Sequence, residues 1–153
     1  MRMLLVPAIT LPLLCASGAL AQGATAAKLT WGPAPPGFPA GAQLAVVSGD
    51  PSKAGPFVVQ VSMPDGYKIP PHTHPTDETV SVLKGTFLYA TGKTWDDKAL
   101  KTMATGGSGK IPAEMPHYAA AKGATTIQIT STGPFAITYV NKADDPRNKK
   151  TTN

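Results

Sequence analysis

Clusters of glycine and proline cut this chain into short apolar segments, and that spacing excludes a helical core. Of 153 residues, 15 are glycine and 16 proline. Between them lie runs with strand character at 43–47, 57–63, 79–83, 86–89, 100–103, 117–121, 125–131 and 135–140. All but the last end in turn-forming residues: Ser48-Gly49-Asp50-Pro51, Pro64-Asp65-Gly66, Lys84-Gly85, Thr91-Gly92, the glycines at 106–109, Lys122-Gly123 and Gly133-Pro134. These residues supply left-handed or fixed dihedrals at which a strand stops or reverses. No window keeps an apolar period near 3.6 over more than two turns, and 96–101 is the best helical candidate. Many short strands with regular turns predict an all-β sandwich or barrel. There is no internal repeat and no second domain.

The two ends read differently from the middle. Residues 1–21 have the pattern of a Sec-type signal peptide. Arg2 is followed by an apolar run too short to span a bilayer, and Ala19-Leu20-Ala21 offers a cleavage site after Ala21. Cys15, the only cysteine, lies inside that run after Leu13-Leu14 and would be discarded with it. A periplasmic or secreted protein is therefore expected, with no membrane span after cleavage. Residues 22–41 form an extended arm rich in proline and glycine, with Trp31 and Phe38 expected to bury their rings and pin it. Residues 42–142 are expected to be the β-barrel domain, and 143–153 a polar, disordered tail.

The formal net charge is +5, which raises nucleic acid as a partner. The residue types argue against it. Once Arg2 is removed, Arg147 is the single arginine, whereas phosphate and base edges favour the bidentate guanidinium fork. The lysines are scattered, apart from the group around Lys142, Lys149 and Lys150. No nucleic-acid partner is expected.

The chemistry concentrates in the histidines. All three, His72, His74 and His117, fall in two segments. The first is spaced Gly66, His72, His74, Glu78, Gly85, and the second Gly106, Pro112, His117. Residues two apart on a strand project from one face, so His72 and His74 point into one cavity while Thr73 points away. Glu78 can return to that cavity as the first residue of the next strand, and His117 must come from a distant one. Three neutral imidazoles and a carboxylate suit one divalent transition metal ion (Mn, Fe, Ni, Cu, Co or Zn) and are poor for calcium or magnesium. Such a set leaves positions open on an ion that prefers five or six partners.

At these residues the chain resembles the cupin superfamily. The first segment carries that family's first motif at every defined position, including both glycines. In the second, Gly106, Pro112 and His117 fit, while Glu114 stands where the family usually has glycine and Ala121 where it usually has asparagine. The resemblance implies a cupin-type jelly roll, often a homodimer, with metal ligands at His72, His74, Glu78 and His117 near its mouth. It does not decide function, since cupins include dioxygenases, isomerases, decarboxylases and binding proteins.

Other signals are weaker. The stretch 106–110 imitates a phosphate-binding loop, yet Ile111 replaces the required Ser or Thr, Ala104 stands where the first glycine belongs, and no helix follows; it is read as a flexible turn. A serine hydrolase lacks both a free histidine and a G-x-S-x-G elbow. Asp77 is expected to face solvent. Glu78 and Glu114 are the weak catalytic candidates, Glu114 as a proton relay or histidine-orienting acceptor. Strand parity predicts pocket walls at Val80, Val82, Phe87, Tyr89 and Ala119, with Tyr118 facing out and Gln128 as an ambiguous polar handle. A mostly apolar pocket suits a small organic ligand. Two functions remain: a metal-dependent enzyme (an oxygenase-like oxidoreductase or an isomerase), or a non-catalytic small-molecule or metal-binding module.

Overall fold

The computed structural model describes residues 28–149. The expected leader at 1–21, the start of the arm and the last four residues lie outside them. Nine strands follow in order: β1 (Gly32–Pro33), β2 (Gln43–Ser48), β3 (Gly55–Met63), β4 (Lys68–Thr73), β5 (Glu78–Thr91), β6 (Lys101–Ala104), β7 (Ser108–Ile111), β8 (His117–Gly133) and β9 (Thr138–Tyr139). Every pairing is antiparallel. No α-helix occurs among the described residues, and no helix there is long and apolar enough to cross a membrane.

Two long strands organise everything else. β5 and β8 pair along their length, from Thr79↔Thr130 to Thr91↔His117. Register shifts flank Lys84 in that ladder, where Gly85 (φ 79°) and Gly123 (φ 72°) adopt left-handed dihedrals. Bulges increase local twist and bend the strand, so the ribbon turns a corner. On one side, residues 79–84 and 126–130 join β2, β3 and β7. On the other, residues 86–91 and 117–122 join β4, β6 and, through β4, β9. The sheet thus curls into the two faces of a jelly roll, the all-β architecture expected.

The core lies between those faces. Burial alternates along β3, leaving Phe57, Val59, Val61 and Met63 inside. Val59 and Val61 oppose Ile129 and Ile127 of β8, which in turn oppose Val80 and Val82 of β5. Full burial of each such side chain contributes about 1.5–3 kcal/mol. The arm crosses this core: Phe38 is buried, Tyr67 donates to the carbonyl of Pro39, and Tyr139 donates to that of Gly37 at 2.9 Å. Burial pushes the Tyr139 phenol up to about 12, so its hydroxyl stays a donor.

Several expectations need correction. The runs 79–83 and 86–89 are one strand, as are 117–121 and 125–131, because Gly85 and Gly123 bend the ladder without breaking it. β4 fell outside the strand-like runs, since Pro70 and Pro71 mask it. Residues 108–111 pair with β5 instead of forming a flexible turn. The helical candidate yields only a 3-10 turn at Asp97–Ala99, capped by the Asp96 side chain. Of the run 135–140, only Thr138–Tyr139 is strand. Trp31 is 38% exposed, so Phe38 and the two tyrosines hold the arm without it. The tail is not disordered through Lys149. Two 3-10 turns, Lys142–Asp144 and Pro146–Asn148, are capped by Asn141 and Asp145, and Arg147 donates to the Ile137 carbonyl at 2.9 Å.

Candidate metal centre

The four residues singled out from spacing meet in one place. His72 and His117 are direct cross-strand partners on β4 and β8. His74 follows the end of β4, and Glu78 opens β5. Potential ligand atoms of the three histidines lie within 4.8 Å of one another. Glu78 Oε2 is 3.5 Å from His74 Nε2 and 3.6 Å from His117 Nε2. All four residues are at most 4% exposed.

Backbone carbonyls set the direction of each ring. His72 Nδ1 donates to Pro70 O at 2.7 Å, His74 Nδ1 to Ala136 O at 2.7 Å, and His117 Nδ1 to Met115 O at 2.9 Å. A carbonyl can only accept, so each Nδ1 carries a proton and Nε2 is the nitrogen left free. Burial, reinforced by the two neighbouring imidazoles, holds the His72 pKa well below the ordinary range; burial also lowers that of His74, opposed by Glu78. With the His74 ring neutral, its contact to Glu78 is not an ion pair. It sets a lone pair against a carboxylate, an arrangement that only a cation or a shared proton relieves. Oriented outer-sphere carbonyls are what metal-binding imidazoles require, so the residues fit a transition ion.

The enclosed space is small. The cavity at the histidines measures about 20 Å³ and is closed by Phe38, Phe135 and Ile137, which is room for one ion or one water. Phe135 stacks on the His74 ring at 4.8 Å between centroids. Of the parity-predicted walls, Val80, Phe87 and Ala119 line this cavity. Val82 is buried in the core away from it, and Tyr89 packs beside Phe87 at 6.4 Å. Gln128 is no polar handle. Ile127 and Ile129 take the inner face, and Gln128 turns outward to Gln60 on the neighbouring strand, at 3.4 Å. Tyr118 does face away from the interior, but it is 1% exposed because Trp95 covers it. Sequence reasoning missed Phe135 and the Ala136 carbonyl. The first carried no periodic signal, and a backbone carbonyl has no side-chain signature at all.

Two further acidic residues hold the backbone beside the site. Asp77, half exposed, pairs with Lys110 at 2.6 Å and accepts from the Ala113 amide at 2.9 Å, tying the start of β5 to the turn before His117. Glu114 has φ 59° and its amide donates to the His74 carbonyl at 2.9 Å. The turn thus keeps the left-handed geometry that glycine adopts freely, with a glutamate bearing the strain. Glu114→Gly is expected to raise stability by up to about 1 kcal/mol, read as a higher urea midpoint. A clear loss would show that the carboxylate supports His74 directly.

The buried imidazoles also predict pH dependence. Below the ordinary histidine value of 6.5, the unfolded chain takes up protons that the folded chain refuses at His72 and His74. Stability of the metal-free protein therefore falls as pH drops through 6.5 towards the depressed folded values, and is flat above it. Melting temperatures at about pH 7.5 and 5.5 check this, because most carboxylates titrate lower. Equal values at both would refute the buried neutral rings.

No curated protein is significantly similar to the chain in sequence. Among solved structures it resembles the polyketide cyclase RemF of Streptomyces resistomycificus (15% identity, 69% of this chain and 75% of that one, TM-score 0.56). It also resembles KdgF of a Halomonas species (21% identity, 68% and 86%, TM-score 0.52). A third is an RmlC-like cupin of Shewanella frigidimarina (17% identity, 60% and 76%, TM-score 0.50). At these identities they establish the jelly-roll fold. The ChrR cupin-like domain family matches residues 21–97, about half of the chain, taking in His72, His74 and Glu78 and ending before His117. With that match, the fold and the converging histidines, this chain belongs to the ChrR cupin-like domain family of the cupin superfamily.

Proposed function

We propose that this is a periplasmic or secreted metal-dependent oxidoreductase, dioxygenase-like, that holds one divalent transition ion through His72, His74, Glu78 and His117. One observation carries the reading: three clustered imidazoles spend their Nδ1 protons on backbone carbonyls, and His74 and His117 turn Nε2 to the buried Glu78 carboxylate. Bound there, an ion offers exchangeable positions at which dioxygen, or a carbonyl or enol oxygen, is activated. The chain's own part is to keep the rings neutral, fix their direction, and exclude water with Phe38, Phe135 and Ile137. The substrate class is a small organic molecule, and no nucleic-acid partner is proposed.

A second reading is a non-catalytic module that captures a metal or small molecule; its metal-capturing form is favoured by the 20 Å³ cavity, which admits no organic substrate beside an ion. Elemental analysis of protein exported to its own compartment tests the shared premise. About one transition ion per chain is expected in the wild type, and background metal in His72→Ala. A wild type without metal would sink the enzyme and the metal-capturing module, leaving only small-molecule capture. Oxygen uptake by loaded protein over phenols, diketones and sugars separates them, since retention of a ligand without turnover supports the module.

A further inference from the structure

A second cavity of about 410 Å³ lies against the metal centre, between the arm, the loop after β8 and the 3-10 turn of Arg147. Its walls are largely apolar, with Pro35, Leu44 and Val59 among them. Phe38, Phe135 and Ile137 line both this cavity and the small one at the histidines, so they form a shared partition. The volume falls within the usual range for small-ligand sites. The histidine cavity does not.

We propose that this larger cavity binds an uncharged, mainly apolar small molecule bearing one acceptor oxygen, such as a phenol, ketone or ester, and that Phe135 is the gate through which that oxygen reaches the histidines. The second half rests on the metal-dependent reading above. Arg147 is the chemical argument for neutrality. Its Nε and Nη2 form a bidentate pair with Asp145 at 2.8 and 2.7 Å, and Nη2 also donates to Ile137 O. The pair cancels its own charge, and a ligand carboxylate would have to compete with Asp145. Nη1 has no partner among the described contacts and stands on the cavity rim, suited to hold that neutral acceptor while Phe135 is closed.

Phe135 is suited to be the movable part. It lies between Gly133 and Thr138, outside any strand, and is only half-buried. Its backbone is fixed by a bond from its amide to Pro51 O at 2.7 Å, so a side-chain rotation opens the partition without moving the loop. Its ring stacks on His74, and a ligand ring of similar shape can take that place.

Binding of 2-naphthol, followed by its fluorescence, is the test. One molecule per chain is expected in both metal-loaded and metal-stripped wild type. Gly37→Phe plugs the cavity. Gly37 needs no left-handed dihedral, and a Cβ there would meet Ile137 at 3.8 Å and Arg147 Nη1 at 4.0 Å, ordinary contacts. The variant should weaken 2-naphthol at least about tenfold with metal content unchanged. Pro36→Trp, at an exposed lining residue, should do the same if Gly37→Phe melts early. His72→Ala should lose metal and keep 2-naphthol affinity. In Phe135→Ala loaded with cobalt(II), saturating 2-naphthol should shift the visible absorption more than in the wild type. Absence of saturable binding, or wild-type affinity in both plugged variants, overturns the site. A cobalt spectrum in Phe135→Ala that ignores the probe overturns the gate. Intact 2-naphthol binding by a wild type that takes up no metal supports the cavity and rejects only the metal-dependent reading.

Discussion

Adding a fitting divalent ion to metal-free protein is expected to raise its melting temperature by roughly 12–20 °C. An ion that binds only the folded chain, present at a thousandfold excess over its dissociation constant, stabilises it by about 4 kcal/mol. For a domain of this size each kcal/mol moves the midpoint by about 3–5 °C. The physical source is specific. The folded chain buries His72, His74, His117 and Glu78 with their free nitrogens and a carboxylate oxygen facing one another, a cost that the ion removes. The unfolded chain has no such cluster to offer. His117→Ala should abolish the metal-dependent increment, because it removes the imidazole whose Nε2 stands 3.6 Å from Glu78 and completes the histidine cluster. Identical scans of the wild type with and without Mn, Fe, Ni, Cu, Co or Zn would remove the metal centre.

Gly85→Ala is expected to cost about 3–5 kcal/mol, a large part of the stability of a domain this small. Gly85 closes the first motif, and the structure shows why glycine is needed there. It has φ 79°, and a Cβ would stand 2.5 Å from the Ala124 carbonyl and 2.9 Å from Thr125 Cα. Those are backbone atoms of β8, so relief requires opening the corner at which the sheet curls. Thr125, 1% exposed, would be displaced with them; its hydroxyl accepts from the Thr86 amide and donates to the Thr86 carbonyl. Gly66, the other motif glycine, is the control. It has φ 72° but nothing within 4 Å of a Cβ, so Gly66→Ala should cost only the left-handed dihedral, about 1–2 kcal/mol. Urea unfolding of both variants checks the difference. Equal losses would show that the close approach at Gly85 is not what the motif protects. Metal affinity should fall in Gly85→Ala as well, because the corner carries Glu78 towards His117.

The curl explains which parts of this molecule were legible in advance. Alternation along the first half of β5 was visible as Val80 and Val82 two apart, because one-sided burial writes a period of two into any strand. The donor types, and the pairing of His72 with His74, were visible for the same reason. The two fused strands were not. Gly85 and Gly123 look like turns in a sequence, and only the partner strand decides whether a left-handed glycine reverses a chain or bends it. Gln128 was ambiguous on its own and is settled by Gln60 opposite it.

The amino-acid sequence by itself determined the all-β class and the identities of the four candidate metal-binding residues, since periodicity and donor chemistry are local properties. Convergence belongs to the tertiary structure alone. Glu78 lies beside Thr79, paired to Thr130, whereas His117 begins the same strand thirteen residues earlier. Along a flat sheet that separation would be about 40 Å; across the curled one the two side chains are 3.6 Å apart. The same folding brings Ala136 and Phe135 onto His74, and leaves a cavity between arm and loop that no spacing in the chain announces.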